Sequence, residues 1–402
     1  MTATVTPPTV TPATVPKVAL PFLDDSHVAF ADGLNRWCAD NSDLWTPPGP
    51  ANEQCTAILR RLGADGWLTF LLSDRWDFRS VCLAREILAH ADDLADFTFS
   101  IQALAAMPLA RHGTPAQRDR FLVDLAAGRS NGSFAVSEPA AGSDLAAIAL
   151  TAEPTDEGWV LDGEKAWIAG ATTADVFTVI ARTGGAPGAL GLSAFLVPVG
   201  TPGLVVGDPL SVLAPRPFGH LRFEGCRLPA ESLLGRRGQG FVIAMELLEQ
   251  FRMTVGAAAV GFARLAAEEA LSHSRTRRIG SRMLFDLDTT KATLGDMATQ
   301  LSASWLLVLR AAWEVDQGHR RFAPHSSMAK LHATEAAQQI VDATVAMFGA
   351  AGVVGGSVPE RLYRQIRLLR IYEGTSEVQR ATIAGSLDIP GLTSARLAGS
   401  RR

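Results

Sequence analysis

Cysteine is scarce in this 402-residue chain, and the four cysteines show no spacing that suggests a shared site. They are Cys38, Cys55, Cys82 and Cys226. Their separation matches neither a metal-ligand pattern nor a disulfide framework. The histidines likewise lack the His-Glu-x-x-His spacing of zinc enzymes. We therefore expect buried, reduced thiols in a cytoplasmic protein, and no metal site.

The sequence also lacks a long apolar run and an excess of positive charge. No segment is apolar for long enough to span a bilayer, and the formal net charge is −4. These features disfavour a membrane protein and a nucleic-acid-binding protein. Residues 1–21 contain several prolines and lack the basic start and continuous apolar stretch of a signal peptide. We predict that they form a flexible, extended tail; the alternative is an ordered arm packed against a neighbouring molecule.

Three regions of different composition follow this tail. Residues 22–128 place apolar side chains at helical spacing, whereas residues 129–238 alternate short β-branched and aromatic runs with glycine, proline and aspartate. Residues 239–390 return to long, alanine-rich helical patterns that suit close helix packing, and residues 391–402 form a second tail. We predict an α+β multidomain protein with an N-terminal α-helical domain, a central β-barrel or β-sandwich domain and a C-terminal four-helix bundle.

Glycine, proline and their neighbours predict several element boundaries. Gly113, Thr114 and Pro115 read as a helix stop, an N-cap and a proline at the first helical position. The Asp162-Gly163 pair predicts the turn of a β-hairpin. The glycine-rich run at 184–188 resembles a phosphate loop, but its place within the β region favours a hairpin loop.

Three short segments carry candidate chemistry. Residues 134–144 read Phe-Ala-Val-Ser-Glu-Pro-Ala-Ala-Gly-Ser-Asp, and their small residues and hydroxyls suit a phosphate or a flavin edge. An ordinary loop is the alternative. Residues 165–169, Lys-Ala-Trp-Ile-Ala, contain a tryptophan that is either a core residue or the cover of something flat. Residues 372–377, Tyr-Glu-Gly-Thr-Ser-Glu, place a carboxylate where a helix ends or where a bend exposes a backbone amide.

Together these segments resemble the acyl-CoA dehydrogenase family. The first matches the family's Glu-Pro-x-Ala-Gly-Ser-Asp signature, and residues 359–380 look like its C-terminal signature. Arg-Leu-Pro at 227–229 and Gly-Gln-Gly-Phe at 238–241 resemble the family's link into the helical bundle. The resemblance runs from about residue 25 to 387, and the predicted order of helical, β and helical domains agrees with the family's fold.

The resemblance implies an FAD-dependent dehydrogenase that oxidises the bond next to a thioester carbonyl. Glu373 would be the base that removes the proton beside the carbonyl, while hydride leaves the next carbon for flavin N5. The Glu373 N–H and a ribityl hydroxyl of FAD would form an oxyanion hole. The implied flavin contacts are Phe134, Val136, Ser137, Gly142, Ser143, Trp167, Ala169, Arg277, Gly349, Thr375 and Glu377. The implied substrate contacts are Ser143, Arg252, Tyr372 and Gly374.

Some relatives place the base elsewhere, on the first helix of the bundle just before an arginine. Here that position holds Phe251, ahead of Arg252, and a phenyl ring accepts no proton. Glu249 lies two residues further back, and we interpret it as structural. This comparison favours Glu373 as the base.

Several positions depart from the family pattern. Ala169 stands where relatives usually have a threonine or serine whose hydroxyl bonds flavin N5. The family's Arg-x-x-Phe-Gly reads Thr-Arg-Arg-Ile-Gly at 276–280, so Arg277 or Arg278 would have to replace the missing arginine. The family's Arg-x-Ser-x-Thr run near the substrate reads Ala-Pro-Arg-Pro-Phe at 214–218. These departures favour an unusual acyl group, carried by CoA or by an acyl carrier protein, as in specialised metabolism.

The resemblance also implies partners. It predicts an electron acceptor such as an electron-transfer flavoprotein, and a homodimer or homotetramer that holds FAD across a subunit interface. Two other functions stay open: a flavin oxidase or monooxygenase on the same fold, and a non-catalytic interaction protein that kept the fold.

Overall fold

The computed structural model describes residues 22–45, 48–184 and 188–387. The two predicted tails, 1–21 and 391–402, lie outside these residues. No helix in the described ranges is long and apolar enough to cross a membrane.

Helices form the N-terminal part of the chain. They are α1 Asp25–Asp40, α2 Ala51–Ala64, α3 Phe78–Ala91, α4 Asp93–His112, α5 Pro115–Gln117 and α6 Val123–Ala126, with a π-helical segment Arg118–Leu122 before α6. Aspartate side chains cap α1, α3 and α4 by accepting backbone N–H groups of the first turn. As predicted, Gly113 follows α4, and Thr114 caps α5 ahead of Pro115.

The central part of the chain forms one eight-stranded sheet. Its strands are β1 Gly132–Ala135, β2 Thr151–Thr155, β3 Gly158–Ala169, β4 Val176–Arg182, β5 Leu192–Pro198, β6 Leu204–Val206, β7 Phe218–Pro229 and β8 Leu233–Leu234. The order across the sheet is β6-β7-β3-β2-β4-β5-β8, and β1 pairs in parallel with β4. The glycine-rich run at 184–188 lies between the antiparallel strands β4 and β5, although residues 185–187 are outside the described ranges.

The predicted hairpin turn at Asp162-Gly163 is wrong. Strand β3 continues through both residues, and the turn lies at 156–157, between the paired Thr155 and Gly158. The pairing of β3 with β7 shifts register between Leu161 and Gly163, which marks a β-bulge. Gly163 has a φ of 132°, so its conformational freedom serves this irregularity in mid-strand.

The C-terminal part is a helical bundle. Its elements are α7 Gly240–Thr276, a short hairpin of β9 Arg278–Ile279 and β10 Arg282–Met283, α8 Asp288–Asp316, α9 Ala323–Phe348, α10 Val358–Leu369 and α11 Ser376–Ala384. Fully buried alanines of α7 and α9 form much of the shared core, as the alanine-rich pattern indicates. With the helical and β regions before it, this bundle confirms the predicted fold class.

A buried glutamine joins the sheet to the N-terminal helices. The Gln102 amide, on α4, donates to the carbonyls of Leu125 and Ser130, each at 2.8 Å. Its carbonyl oxygen accepts from the Gly132 N–H, also at 2.8 Å. Because all these groups are paired inside the protein, β1 begins at a defined place beside α4. The residues after β1 are thereby placed against the same helix.

Candidate active site

A cavity of about 730 Å³ lies where α4, the ends of β1 and β3, the start of β7 and the link before α11 meet. Its wall is mostly apolar and aromatic, with Glu373 as its carboxylic acid. The lining residues are Phe97, Ser100, Ile101, Leu104, Phe134, Val136, Ser137, Trp167, Ile168, Ala169, Phe218, Leu248, Tyr372 and Glu373. A concave apolar site with few polar groups is typical of a small-molecule site.

Glu373 combines an unusual backbone with a desolvated carboxyl group. Its φ is 53°, in the left-handed region that favours glycine. The Oε2 atom is buried and has no hydrogen-bond partner among the described residues. Desolvation raises the pKa of Glu373 to about 7, against the opposing effect of the nearby Arg85 and Lys330 charges. A carboxyl group with such a pKa is suited to general-base work near neutral pH.

The carbonyl groups around Glu373 are held by side chains of the bundle. The buried Lys330 ammonium, on α9, donates to the carbonyls of Tyr372 and Gly374. The Gln379 amide donates to the Gly374 carbonyl at 2.9 Å. In contrast, the Glu373 N–H donates to no acceptor in the described part of the chain. The bend therefore offers a free backbone donor beside the carboxyl group.

A buried ion pair shapes the segment that carries Val136 and Ser137. Glu138 accepts the backbone N–H groups of Ala149 and Leu150, at 2.7 and 3.0 Å. Its Oε1 atom also lies 2.8 Å from the Lys165 Nζ atom, which in turn donates to the Val136 carbonyl at 2.8 Å. The Glu-Pro-x-Ala-Gly-Ser-Asp signature thus supplies, at Glu138, the carboxylate that holds this wall of the cavity together.

Trp167 is not a core residue, so the core interpretation of its strand position is wrong. Its side chain is 55% exposed, and its φ is 55°. It sits at the second register shift between β3 and β7, between Lys165 and Ile168. An exposed indole beside an apolar cavity fits a flat ligand such as the isoalloxazine of FAD. Ala169, two residues on, presents only a methyl group to the same cavity.

The structure does not bring the other family-implied flavin positions to this cavity. Gly142 and Ser143 are exposed, as are Arg277 at the end of α7 and Gly349 at the end of α9. Thr375 and Glu377 lie at the start of α11, where the Thr375 hydroxyl caps the helix by accepting from Val378 N–H. These positions remain predictions.

Of the implied substrate positions, some lie at the cavity and others do not. Tyr372 lines the cavity and Gly374 follows Glu373, whereas Ser143 is exposed. Arg252 is only 6% exposed, and its Nε atom has no hydrogen-bond partner in the described ranges. It lies close enough to Glu373 for the two charges to interact.

Phe251, which occupies the alternative base position, is part of the hydrophobic core. Phe251 is fully buried, and its ring centroid lies 6.2 Å from that of Trp76 and 6.3 Å from that of Phe78. Burial raises the pKa of Glu249, which does not line the cavity. The arrangement leaves Glu373 as the carboxylic acid at the cavity.

Two buried ion pairs near the site are absent from the sequence predictions. Arg85 binds Asp96 in a two-pronged contact at 2.8 and 2.9 Å, and also donates to the Thr254 hydroxyl at 3.0 Å. Arg216 pairs with Asp93, and its guanidinium carbon lies 5.3 Å from the ring centroid of Phe97. Arg85 and Asp96 lie on the consecutive helices α3 and α4, whereas Arg216 and Asp93 are far apart in the sequence. No local pattern marks either pair.

Comparison with known proteins places the chain in a family. It matches three family models, described as the N-terminal, middle and C-terminal domains of acyl-CoA dehydrogenase, over residues 26–129, 133–226 and 238–387. It is 36% identical to the mitochondrial short-chain specific acyl-CoA dehydrogenase of Mus musculus over 83% of this chain and 82% of that protein.

Solved structures agree. The butyryl-CoA dehydrogenase of Megasphaera elsdenii is 30% identical, with a TM-score of 0.84 over 91% of this chain and 98% of that one. The FAD complex of PigA is 27% identical, with a TM-score of 0.83 over 91% and 98% of the two chains. The chain belongs to the acyl-CoA dehydrogenase family. It is accordingly a flavoprotein oxidoreductase, and FAD is its cofactor.

Proposed function

We propose that this protein dehydrogenates an acyl thioester, with Glu373 as the base that removes the proton beside the carbonyl. The observation that carries this proposal is the buried Glu373 Oε2 atom, which lines the cavity without a hydrogen-bond partner among the described residues. A carboxyl group so desolvated is a stronger base than one in water. Glu373 and the exposed Trp167 indole line the same cavity, which supports a substrate bound between base and flavin.

The chain supplies two further functions at the same place. The free Glu373 N–H is suited to donate to the thioester oxygen as negative charge develops there, which lowers the barrier to proton removal. The apolar wall excludes water from the carboxyl group. Val136, Ser137 and Trp167 are the residues that would hold the flavin. FAD, when bound, supplies the acceptor for the hydride from the neighbouring carbon.

We propose a short or otherwise unusual acyl group. The side of the cavity formed by α4 and β7 carries the rings of Phe97 and Phe218, with the Ser100 hydroxyl as a polar exception. Phe218 belongs to the 214–218 run that departs from the family pattern, and Arg216 of the same run stacks behind Phe97. The similarity to a dehydrogenase named for short chains supports the same size class.

The decisive experiment is anaerobic bleaching of the bound flavin by a panel of acyl thioesters. The panel pairs each acyl group on CoA with the same group on an acyl carrier protein. We expect fast bleaching by a short acyl group in wild type. We expect Glu373→Gln to keep its FAD absorbance and to be reduced at least about 100-fold more slowly, because general-base catalysis is worth that much. Reduction of Glu373→Gln at the wild-type rate would overturn the assignment.

The same panel separates the alternatives. A clear preference for CoA would reject the carrier-protein substrate in specialised metabolism. Rapid oxygen consumption without an added acceptor would favour an oxidase. A purified protein that takes up no FAD would favour an interaction protein without catalysis.

We further propose a homodimer or homotetramer that passes electrons to an electron-transfer flavoprotein. Arg277 and Gly349, which the family resemblance places at FAD, are exposed and apart from the cavity in a single chain. That position supports a cofactor held partly by a second subunit. Light scattering of the holoprotein tests the assembly, and a monomer that retains FAD at nanomolar concentration would contradict it.

A further inference from the structure

Lys330 is a buried amine that has no role in the reaction as proposed above, and burial lowers its pKa to about 7. It lies within α9 and is 1% exposed. Burying an ammonium group is costly, and such a group normally pairs with a carboxylate. Lys330 instead makes no ion pair among the described residues, and its hydrogen bonds go to the carbonyls of Tyr372 and Gly374. The residue between these two carbonyls is the proposed base.

Because the peptide bond is planar, the contact of Lys330 with the Tyr372 carbonyl also fixes the direction of the Glu373 N–H. In a trans peptide, the C=O of one residue and the N–H of the next point in opposite directions. The carbonyl of Tyr372 and the N–H of Glu373 belong to the same peptide unit. Because Lys330 binds that carbonyl, the Glu373 N–H must point away from Lys330. That N–H has no acceptor within the described residues, so it is available to a ligand.

The second contact of Lys330 fixes the bend itself. Two carbonyls on either side of Glu373 reach one ammonium group only if the chain reverses between them. The reversal uses φ values of 53° at Glu373 and 92° at Gly374. A left-handed glutamate is strained, and such strain persists only where surrounding contacts overrule it. Gln379 also binds the Gly374 carbonyl, but the Tyr372 carbonyl depends on Lys330 alone among the described side chains.

We propose that Lys330 is a positioning residue that aims the Glu373 N–H at the thioester oxygen and holds the Glu373 carboxyl group over the carbon to be deprotonated. This proposal rests on the proposed function of Glu373. A residue that only stabilises the fold would affect the whole protein. Lys330, in this proposal, sets the direction of one hydrogen-bond donor, the Glu373 N–H. Loss of Lys330 should therefore weaken transition-state stabilisation more than substrate binding.

Two variants separate this role from folding. Lys330→Met removes both hydrogen bonds at similar length, whereas Lys330→Gln keeps an amide that is able to donate to one carbonyl. In holoprotein, we expect Lys330→Met to lower the rate of flavin reduction about 100-fold, since a misaligned oxyanion donor costs that much. We expect Lys330→Gln to recover part of that loss. Dissociation constants for the thioester should change only a few-fold. Lys291→Met, at an exposed lysine of α8, should match wild type.

A spectroscopic readout reports the donor directly. In wild type, the infrared stretch of a bound ¹³C-labelled thioester carbonyl should shift to lower frequency than in water, because the Glu373 N–H polarises it. The shift should shrink in Lys330→Met and be intermediate in Lys330→Gln. If Lys330→Met does not fold, Lys330→Gln alone still tests the rate and the shift. Wild-type rates and wild-type shifts in the folded variants would overturn the proposal. If Glu373→Gln itself reduces normally, the proposed function fails first, independently of Lys330.

Discussion

Glu373 shows how the surroundings of a single residue set the pKa of its carboxyl group. Desolvation is the largest influence on its pKa, and the cations of Arg85 and Lys330 moderate that influence. Without them, the carboxyl group would stay protonated to a higher pH and would rarely be available as a base. Without the burial, it would be ionised but too weakly basic. The site depends on the balance between the two.

This balance predicts the pH dependence of flavin reduction. Glu373, as the proposed base, must be ionised to accept a proton, and its pKa is raised to about 7. The single-turnover rate of reduction should therefore rise with pH and level off above about pH 8, as the last of the carboxyl groups ionise. Stopped-flow reduction from pH 5.5 to 9 measures this profile. A rate that is flat across that range would show that another group, or a step without proton transfer, controls reduction.

The same pKa predicts an effect on stability. The folded chain holds the Glu373 proton more tightly than the unfolded chain does, where the pKa is near the ordinary 4.5. As pH rises from about 4.5 to 7, the unfolded chain loses this proton first, so the contribution of Glu373 to stability falls. Glu373→Gln carries no such charge. Its thermal midpoint should equal that of wild type near pH 4, below the unfolded pKa, and exceed it at pH 8. A variant less stable than wild type at pH 8 would contradict the desolvation argument.

At the residue scale, the sequence points to the proposed base but not to its neighbours. Glu373 stands in a recognisable segment, and Phe251 excludes the alternative by its chemistry alone. Lys330, Arg85 and Asp96 are different. Each looks like an ordinary helical residue, and the charges meet only after α3, α4, α9 and the 372–374 bend have packed together.

At the scale of elements, the wall that carries Val136 and Ser137 depends on the Glu138–Lys165 pair. Removing one partner of a buried pair leaves an uncompensated charge, which costs about 3–5 kcal/mol. Lys165→Met should therefore lower the thermal midpoint and release FAD more readily, because the Val136 carbonyl also loses its donor. Lys291→Met, with a half-exposed side chain, is the matched control and should change little. Unchanged FAD retention in Lys165→Met would show that the pair does not organise the cofactor wall.

Element boundaries were predictable where one chemical reason governs them. Thr114 and Pro115 begin a helix because their capping chemistry has few other uses. The Asp162-Gly163 pair does not predict a turn reliably, because the backbone freedom of glycine suits a β-turn and a β-bulge equally well. Here Asp162 accepts the Gly225 N–H at 2.6 Å, which belongs to the neighbouring strand β7, so that the pair is useful in mid-strand. Whether the pair forms a turn or a bulge depends on which strand it pairs with, and the local sequence does not specify that strand.

At the scale of the whole molecule, helix α7 passes unusually close to the N-terminal helix α3. A Cβ atom built on Gly261 would lie 2.2 Å from the Glu86 carbonyl oxygen of α3. Gly261→Ala should therefore force the helices apart and destabilise the protein by about 1–3 kcal/mol. Gly295, on α8, has open space around its Cβ position, so Gly295→Ala should stabilise by up to about 1 kcal/mol. Thermal midpoints of the two variants measure the contrast. Equal effects would show that the close crossing carries no energetic weight.

The order of helical, β and helical regions was readable from the sequence because each region has its own periodicity. The crossing of α3 and α7 was not, because a glycine in an alanine-rich helix gives no sign of which neighbour it faces. The cavity follows from such crossings. It is formed by residues from five separate elements and two links, and their distances are set by packing that no single segment records.

The left-handed backbone of Glu373 has a consequence for protein engineering. The positive φ at this position favours glycine, and the buried, unpartnered Oε2 atom favours a neutral side chain. A glutamate here therefore destabilises the fold for two separate reasons. With Glu373 as the proposed base, a directed-evolution campaign that selects only for survival at high temperature would therefore replace this residue and enrich inactive protein. Selection for heat tolerance in this scaffold needs a parallel screen for turnover, because function and robustness make opposite demands on the same residue.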